Sequence, residues 1–260
     1  MQTALSYKID RPKLLWLIGA AALLFAILTA ATKRKSVRIK ELKIDITHLE
    51  AGSDFIKEAD IKTILKRGFE DDIRDMALNR LDMARVVKVL EKDPFIEKAK
   101  TFIDANNALN IQIIQREPVL RVLDENGLNY YLDKTGFRIP PSKYFSARVP
   151  VATGAIPPYV TDFLTKKNYV LTDLFKLSQR IMQDEFLNPL VQQIYVNAAG
   201  EFTLIPILGD QKIILGNLNG LEDKLARLKV FYDQAIPYEG WNKYETINLK
   251  YGNQIVCKRN

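Results

Sequence analysis

Hydrophobic positions along this chain change their spacing twice, and the changes divide it into three stretches. From Leu14 to Ala31, eighteen consecutive residues carry no charge and nothing more polar than Thr29. As a helix rising about 1.5 Å per residue, the run spans roughly 27 Å, close to the hydrocarbon thickness of a bilayer. The pattern predicts a single transmembrane helix over 14–32 behind a tail of residues 1–13. A cleaved leader has an apolar core of about 7 to 15 residues, shorter than this run, although Thr29-Ala30-Ala31 has the small residues of a cleavage site. A buried core helix fits less well, because Lys8, Arg11 and Lys13 precede the run and Lys33, Arg34 and Lys35 follow it.

Past the basic collar the spacing shortens. Leu42, Ile44 and Ile46 alternate with Lys43 and Asp45, which predicts a strand with one wet face over 37–46. Ile61, Ile64 and Leu65 then recur at helical spacing, with Gly68 as the expected stop. A second helix carries Met83, Val86, Val87 and Leu90 and ends at Asp93-Pro94, since a residue before proline avoids helical geometry. Two alternating runs, around Ala99 to Ile103 and Leu109 to Ile113, flank the turn-rich Asp104-Ala105-Asn106-Asn107 and read as a hairpin. The order β-α-α-β-β predicts one domain over 37–117.

From 118 to 260 the period stays mostly at two. Runs on either side of Asn126-Gly127 read as a hairpin. Thr172 is an expected N-cap for a helix to Glu185 with Leu174, Leu177 and Ile181 on one face. Strands at 191–196, 201–205 and 212–215 form an expected antiparallel meander. A second helix follows, with Asn219 and Glu222 at capping-box spacing and a stripe of Leu221, Leu225, Leu228 and Phe231. Two terminal runs meet at Gly252-Asn253, an expected two-residue turn. The whole chain is read as α+β: a transmembrane helix, a β-α-α-β-β domain, and a mainly antiparallel β domain with two packing helices.

Charge refines that picture. The formal charge is +7, but residues 1–40 hold eight Lys or Arg against Asp10 alone, and residues 41–260 hold thirty of each sign. The excess therefore sits beside the expected span, where it suits anionic lipid head groups, and a nucleic-acid surface is not indicated. Basic residues flank both ends of the span, so charge alone leaves its orientation open. A single cysteine, Cys257, excludes an internal disulfide and Cys-pair zinc sites, and Cys257 shares alternation with Ile255 as a small buried thiol. The one histidine, His48, follows a strand with no nucleophile signature nearby and reads as a surface loop residue. Asp71-Asp72 and Asp184-Glu185 read as solvated acid pairs. No catalytic, metal or cofactor constellation is found, and no small-molecule site is indicated.

Asp93-Pro94-Phe95-Ile96, Ala99 and Arg116-Glu117-Pro118-Val119, with Ala105-Asn106-Asn107-Ala108-Leu109 in place of the usual turn, form a spaced set of motifs that resembles the POTRA domain of the FtsQ/DivIB family of bacterial cell-division proteins. Asp133-Lys134-Thr135-Gly136-Phe137 and Val149-Pro150 through Gly154 are a second, separate likeness. Leu215-Gly216, Lys224-Leu225-Ala226-Arg227-Leu228 and Asn248-Leu249-Lys250-Tyr251 are a third, with the terminal glycine and asparagine rearranged.

The resemblance implies a POTRA domain over 37–117 and an FtsQ-type β domain over 118–260. It implies a cytoplasmic N-terminus and folded domains outside the inner membrane, at the division site. It further implies no catalysis and no cofactor, but a scaffold that binds FtsB- and FtsL-like partners. A terminal strand often forms a sheet edge, so Lys250, Tyr251, Gly252, Asn253, Gln254, Ile255 and Val256 are the candidate partner-binding residues. Tyr251 would supply an aromatic contact and Lys250 a charge toward an acidic partner. A POTRA-bearing envelope transport or assembly component is the alternative; such proteins usually carry repeated POTRA units or a following barrel.

Overall fold

A computed structural model describes residue 16 and residues 19–27, 38–49, 54–69 and 72–260. The tail 1–13 and most of the span expected over 14–32 lie outside the described residues. Residues 19–27 are helical, and their apolar side chains are exposed all round, Leu23, Leu24, Phe25 and Ile27 at 60–69%. Among the described residues no helix is long and apolar enough to cross a membrane. The described residues fall into two compact units, one from residues up to 46 with 58–93 and 98–113, the other from 47–57, 94–97 and 114–260.

The first unit has the expected β-α-α-β-β order: β1 (Glu41–Thr47), α1 (Glu58–Phe69), α2 (Met83–Leu90), β2 (Ile96–Ile103) and β3 (Ala108–Gln115). The sheet runs β1-β3-β2, so β3 sits in the middle, and its Leu109, Ile111 and Ile113 are buried. Ile61 and Leu65 of α1 and Val86 and Leu90 of α2 are buried as well, which is what helical spacing on one face should produce. Asp82 starts α2, its Oδ1 accepting from Ala84 N at 2.9 Å and Arg85 N at 3.2 Å. Gly68 does not stop α1, which continues to Phe69. Its missing side chain instead lets α2 approach: a Cβ there would lie 2.4 Å from Val89 Cγ1.

In the second unit nine strands form one sheet: β4 (Pro118–Leu123), β5 (Asn129–Asp133), β6 (Arg138–Ile139), β7 (Val151–Gly154), β8 (Val191–Val196), β9 (Phe202–Pro206), β10 (Lys212–Gly216), β11 (Tyr244–Asn248) and β12 (Val256–Arg259). Their order is β12-β11-β10-β9-β8-β7-β4-β5-β6. The expected meander holds for β8, β9 and β10. The sheet as a whole is mixed: five of its eight strand pairs are antiparallel, and β4–β7, β7–β8 and β10–β11 are parallel.

Parallel neighbours need a long crossover, and the two helices supply two of them. Helix α3 (Val170–Met182) and the short α4 (Leu187–Leu190) link β7 to β8; α5 (Leu221–Gln234) and the short α6 (Ile236–Glu239) link β10 to β11. Leu174, Leu177 and Ile181 from α3 and Leu225 and Leu228 from α5 pack in one cluster with Ile194, Leu204, Ile213 and Ile247 of the strands. Each fully buried aliphatic contributes about 1.5–3 kcal/mol. A second, aromatic cluster in this unit centres on Phe55, Tyr131 and Ile139, with the Phe55 ring 5.6–5.8 Å from Phe95, Tyr131 and Phe145.

Four turns share one chemistry. Asp104, Asp124, Asp133 and Asn197 each accept with Oδ1 from the amides two and four residues on, at 2.8–3.0 Å. The residue before the last amide has positive φ: Asn107, Gly127, Gly136 and Gly200. The hairpin expected around Asn126-Gly127 forms, β4 pairing antiparallel with β5, and the dipeptide lies in a turn anchored by Asp124. Two expected caps are displaced. Gly220, at φ 64°, precedes α5 in place of Asn219, and α3 begins at Val170 with Thr172 buried, its Oγ1 donating to Phe163 O at 2.5 Å.

Candidate functional site

The large sheet ends at β6, two residues long, and at β12, four residues long. β12 pairs antiparallel with β11, placing Val256 opposite Asn248, Cys257 opposite Ile247, Lys258 opposite Thr246 and Arg259 opposite Tyr244. No described strand lies beyond it, so one row of its backbone N–H and C=O groups faces outward. Val256, Lys258 and Arg259 are exposed, whereas Cys257 packs against the core, and its burial pushes the thiol pKa up.

Of the seven expected site residues, only Val256 lies in this edge strand. Lys250, Tyr251, Gly252, Asn253, Gln254 and Ile255 belong to the connection between β11 and β12. The expected two-residue turn at Gly252-Asn253 is a seven-residue loop, residues 249–255. Leu249 explains the difference: its side chain is fully buried and its N–H donates to Ile214 O at 2.9 Å, which holds the chain against β10 past the end of β11. Asn248 Oδ1 then accepts from Lys250 N at 3.0 Å, Asn253 takes φ 56°, and Tyr251 stands half-exposed at the loop tip.

The loop hangs on one guanidinium. Arg227 of α5 donates through Nη1 to Tyr251 O at 3.0 Å and Gln254 O at 2.5 Å, and through Nη2 to Leu249 O at 3.4 Å. Its Nε donates to Asp223 Oδ2 at 3.0 Å, which fixes the fork from behind. One turn earlier, buried Lys224 donates from Nζ to Leu215 O at 3.1 Å and Asn217 O at 2.8 Å, and desolvation lowers its pKa. Both residues stood in the sequence only as members of a helical motif, since helical spacing does not say which carbonyls a long cation will reach.

Lys250 is already paired. Its Nζ donates to Glu201 Oε1 at 2.5 Å, and that hydrogen bond, with a second from Asn197, holds the Glu201 carboxyl below its usual range. The Lys250 stem lies over Gly216, where a Cβ would come within 2.8 Å of Cγ. The charge expected to address an acidic partner is thus balanced within the chain.

The other residues singled out by their chemistry are structural. His48 Nδ1 lies 2.9 Å from Asp54 Oδ2 at the surface. Asp71 lies outside the described residues; Asp72 is paired with Arg74, whose side-chain and backbone hydrogen bonds lower its pKa to about 2. Asp184 is not a solvated acid: it is buried, and its Oδ1 accepts from Phe186 N and Leu187 N at 3.1 Å. Its Oδ2 meets Arg180 Nη1 at 2.9 Å and Lys229 Nζ at 3.0 Å, while Arg180 also forks onto Glu222 at 2.8 and 2.9 Å. This network ties α3 to α5. Among the described residues no group of three or more His, Cys, Asp or Glu is placed to hold a metal ion.

A three-stranded, two-helix unit followed by a mixed sheet with an open terminal strand defines the class of protein. Residues 38–114 match the family model of the POTRA-like domain, and residues 117–258 match that described as FtsQ/DivIB, C-terminal related. The chain belongs to the FtsQ/DivIB family. Cell division protein FtsQ of Rhodothermus marinus is 26% identical to it over 186 residues, covering 70% of this chain and 67% of that protein.

Proposed function

We propose that the chain is a non-enzymatic scaffold of the bacterial division machinery. In this reading a single span over 14–32 holds it in the inner membrane, with residues 1–13 in the cytoplasm and the POTRA domain (37–117) and β domain (118–260) outside. It joins early and late division proteins at the septum, binding small coiled-coil partners of the FtsB and FtsL type. Family membership and the name of the Rhodothermus relative support the division role. The uncharged run from Leu14 to Ala31 and the all-round exposure of the apolar side chains in 19–27 support the anchor.

The observation that carries the binding mode is the unpaired outer edge of β12. A partner strand added there would satisfy its backbone groups, with Tyr251 and Val256 contributing side-chain contact. Lys250 to Ile255 act by shaping the approach to that edge, held by Arg227.

Successive amides of a strand point to opposite sides, so proline at 257 and proline at 258 each delete a donor on a different side. One of the two leaves the β11–β12 ladder donors intact, and proline is tolerated on a sheet edge. The variant that keeps its melting temperature should lose the division partners in co-purification from host membranes. Undiminished recovery of those partners by that folded variant would contradict edge pairing.

A further inference from the structure

Four residues at about 3.3 Å each give β12 only about 13 Å of edge, and exposed aromatic residues stand beyond both of its ends. Before it lies Tyr251, 50% exposed. After it, Asn260 N donates to Lys243 O at 3.2 Å and Asn260 Nδ2 to Asn242 O at 2.7 Å, so the strand runs directly into the segment that precedes β11. That segment carries Trp241, 44% exposed, and Tyr238 of α6, 89% exposed.

Trp241 has a firm backing. Its ring centroid is 5.9 Å from that of Tyr232, which is buried and bonded through its hydroxyl to Gln211 Nε2 at 3.0 Å. Two of the nearby cations are paired, Lys243 with Glu239 and Lys258 with Glu245, while the exposed Arg259 guanidinium has no partner among the described residues.

We propose that the partner segment paired with β12 continues past Arg259 onto Trp241 and Tyr238. It is an extended stretch of a second protein with a carboxylate opposite Arg259 and, a few residues on, a large apolar side chain seated on Trp241. The proposal rests on the strand-edge reading and extends its footprint. Chemistry selects this occupant: an exposed, unpartnered guanidinium between aromatic surfaces favours an acidic residue flanked by apolar ones. A rigidly backed, half-exposed Trp is the type of residue that dominates interfaces once covered.

Photo-crosslinking in the native host tests it. A photoreactive phenylalanine is placed at position 256 or position 238 of the full chain, and the crosslinked peptides are sequenced. The expected result is one partner, captured from both positions through stretches within about ten residues of each other, the reach of an extended chain across this surface. Arg259→Glu and Trp241→Ala, each with an unchanged melting temperature, should lower the yield from position 256 about tenfold. Capture from position 256 with nothing from 238, or from 238 on a different chain, would overturn the extended footprint and leave the edge reading standing. No capture from 256 would overturn both.

Discussion

Arg116 and Asp133 form an ion pair inside the sheet unit, Nη1 to Oδ2 2.9 Å, with 15% and 2% of their side chains exposed. Arg116 comes from the Arg-Glu-Pro-Val stretch that opens β4, and Asp133 from the Asp-Lys-Thr-Gly-Phe turn after β5. The guanidinium also lies 3.9 Å from the centroid of the Phe137 ring, while Asp133 Oδ1 holds the turn amides. Two motifs that resemble the family separately in sequence are two halves of one contact.

Breaking a buried pair leaves an uncompensated charge and costs about 3–5 kcal/mol. Arg116→Ala should therefore lower the midpoint of urea unfolding strongly. Lys134→Ala removes the exposed Lys134–Glu97 pair, 3.7 Å apart, and should change stability by no more than about 1 kcal/mol. Equal effects would contradict the assigned burial.

Asp184 should dominate the acid limb of stability. Burial works to raise its pKa, but hydrogen bonds from Arg180, Lys229 and two backbone amides outweigh it and hold the carboxyl well below its ordinary 3.8. A depressed carboxylate contributes stability above its unfolded pKa that is lost as pH falls through the folded one. Asp184→Asn should thus cost about 3 kcal/mol at pH 7 and less at pH 3, measured by urea unfolding at both. A penalty that grows on acidification would refute the assignment.

Glycines with positive φ are not equivalent here. A Cβ at Gly154, φ 105°, would sit 2.1 Å from Val196 O, a backbone atom in the middle of the sheet, whereas nothing lies within 4 Å of one at Gly127. Gly127→Ala should cost about 1 kcal/mol, the conformational term alone. Gly154→Ala should cost more than about 4 kcal/mol or prevent folding, a contrast that thermal melts would read directly.

Arg227→Ala should free the 249–255 loop without unfolding the unit. The expected signature is faster hydrogen exchange at the amides of 250–255, with exchange in β8 to β10 unchanged, and weaker partner recovery. Unchanged exchange in the loop would mean that the three carbonyl contacts do not hold it.

Much of the architecture was legible because it is local. The alternation of Leu109, Ile111 and Ile113 and the helical spacing of Val86 and Leu90 each report one buried face, and that face is where the structure puts it. What escaped was long-range. Nothing in Val151 to Gly154 says that its neighbours are β4 and β8 and that both pairings are parallel. Gly68 read as a terminator because its packing partner, Val89, is twenty-one residues away. The edge strand was legible only as an alternating run. Its boundaries moved because Leu249 is tied to Ile214, and its neighbouring loop is governed by Arg227, a residue whose helical spacing marked it only as part of a packing motif.

The most direct test of a division scaffold is to deplete the protein in its native host and image the cells, with a fluorescent fusion on the N-terminal side. Filaments without septa, and a band of the fusion at midcell before depletion, are the predicted result. Normal septation with envelope or secretion defects and uniform peripheral fluorescence would contradict the account.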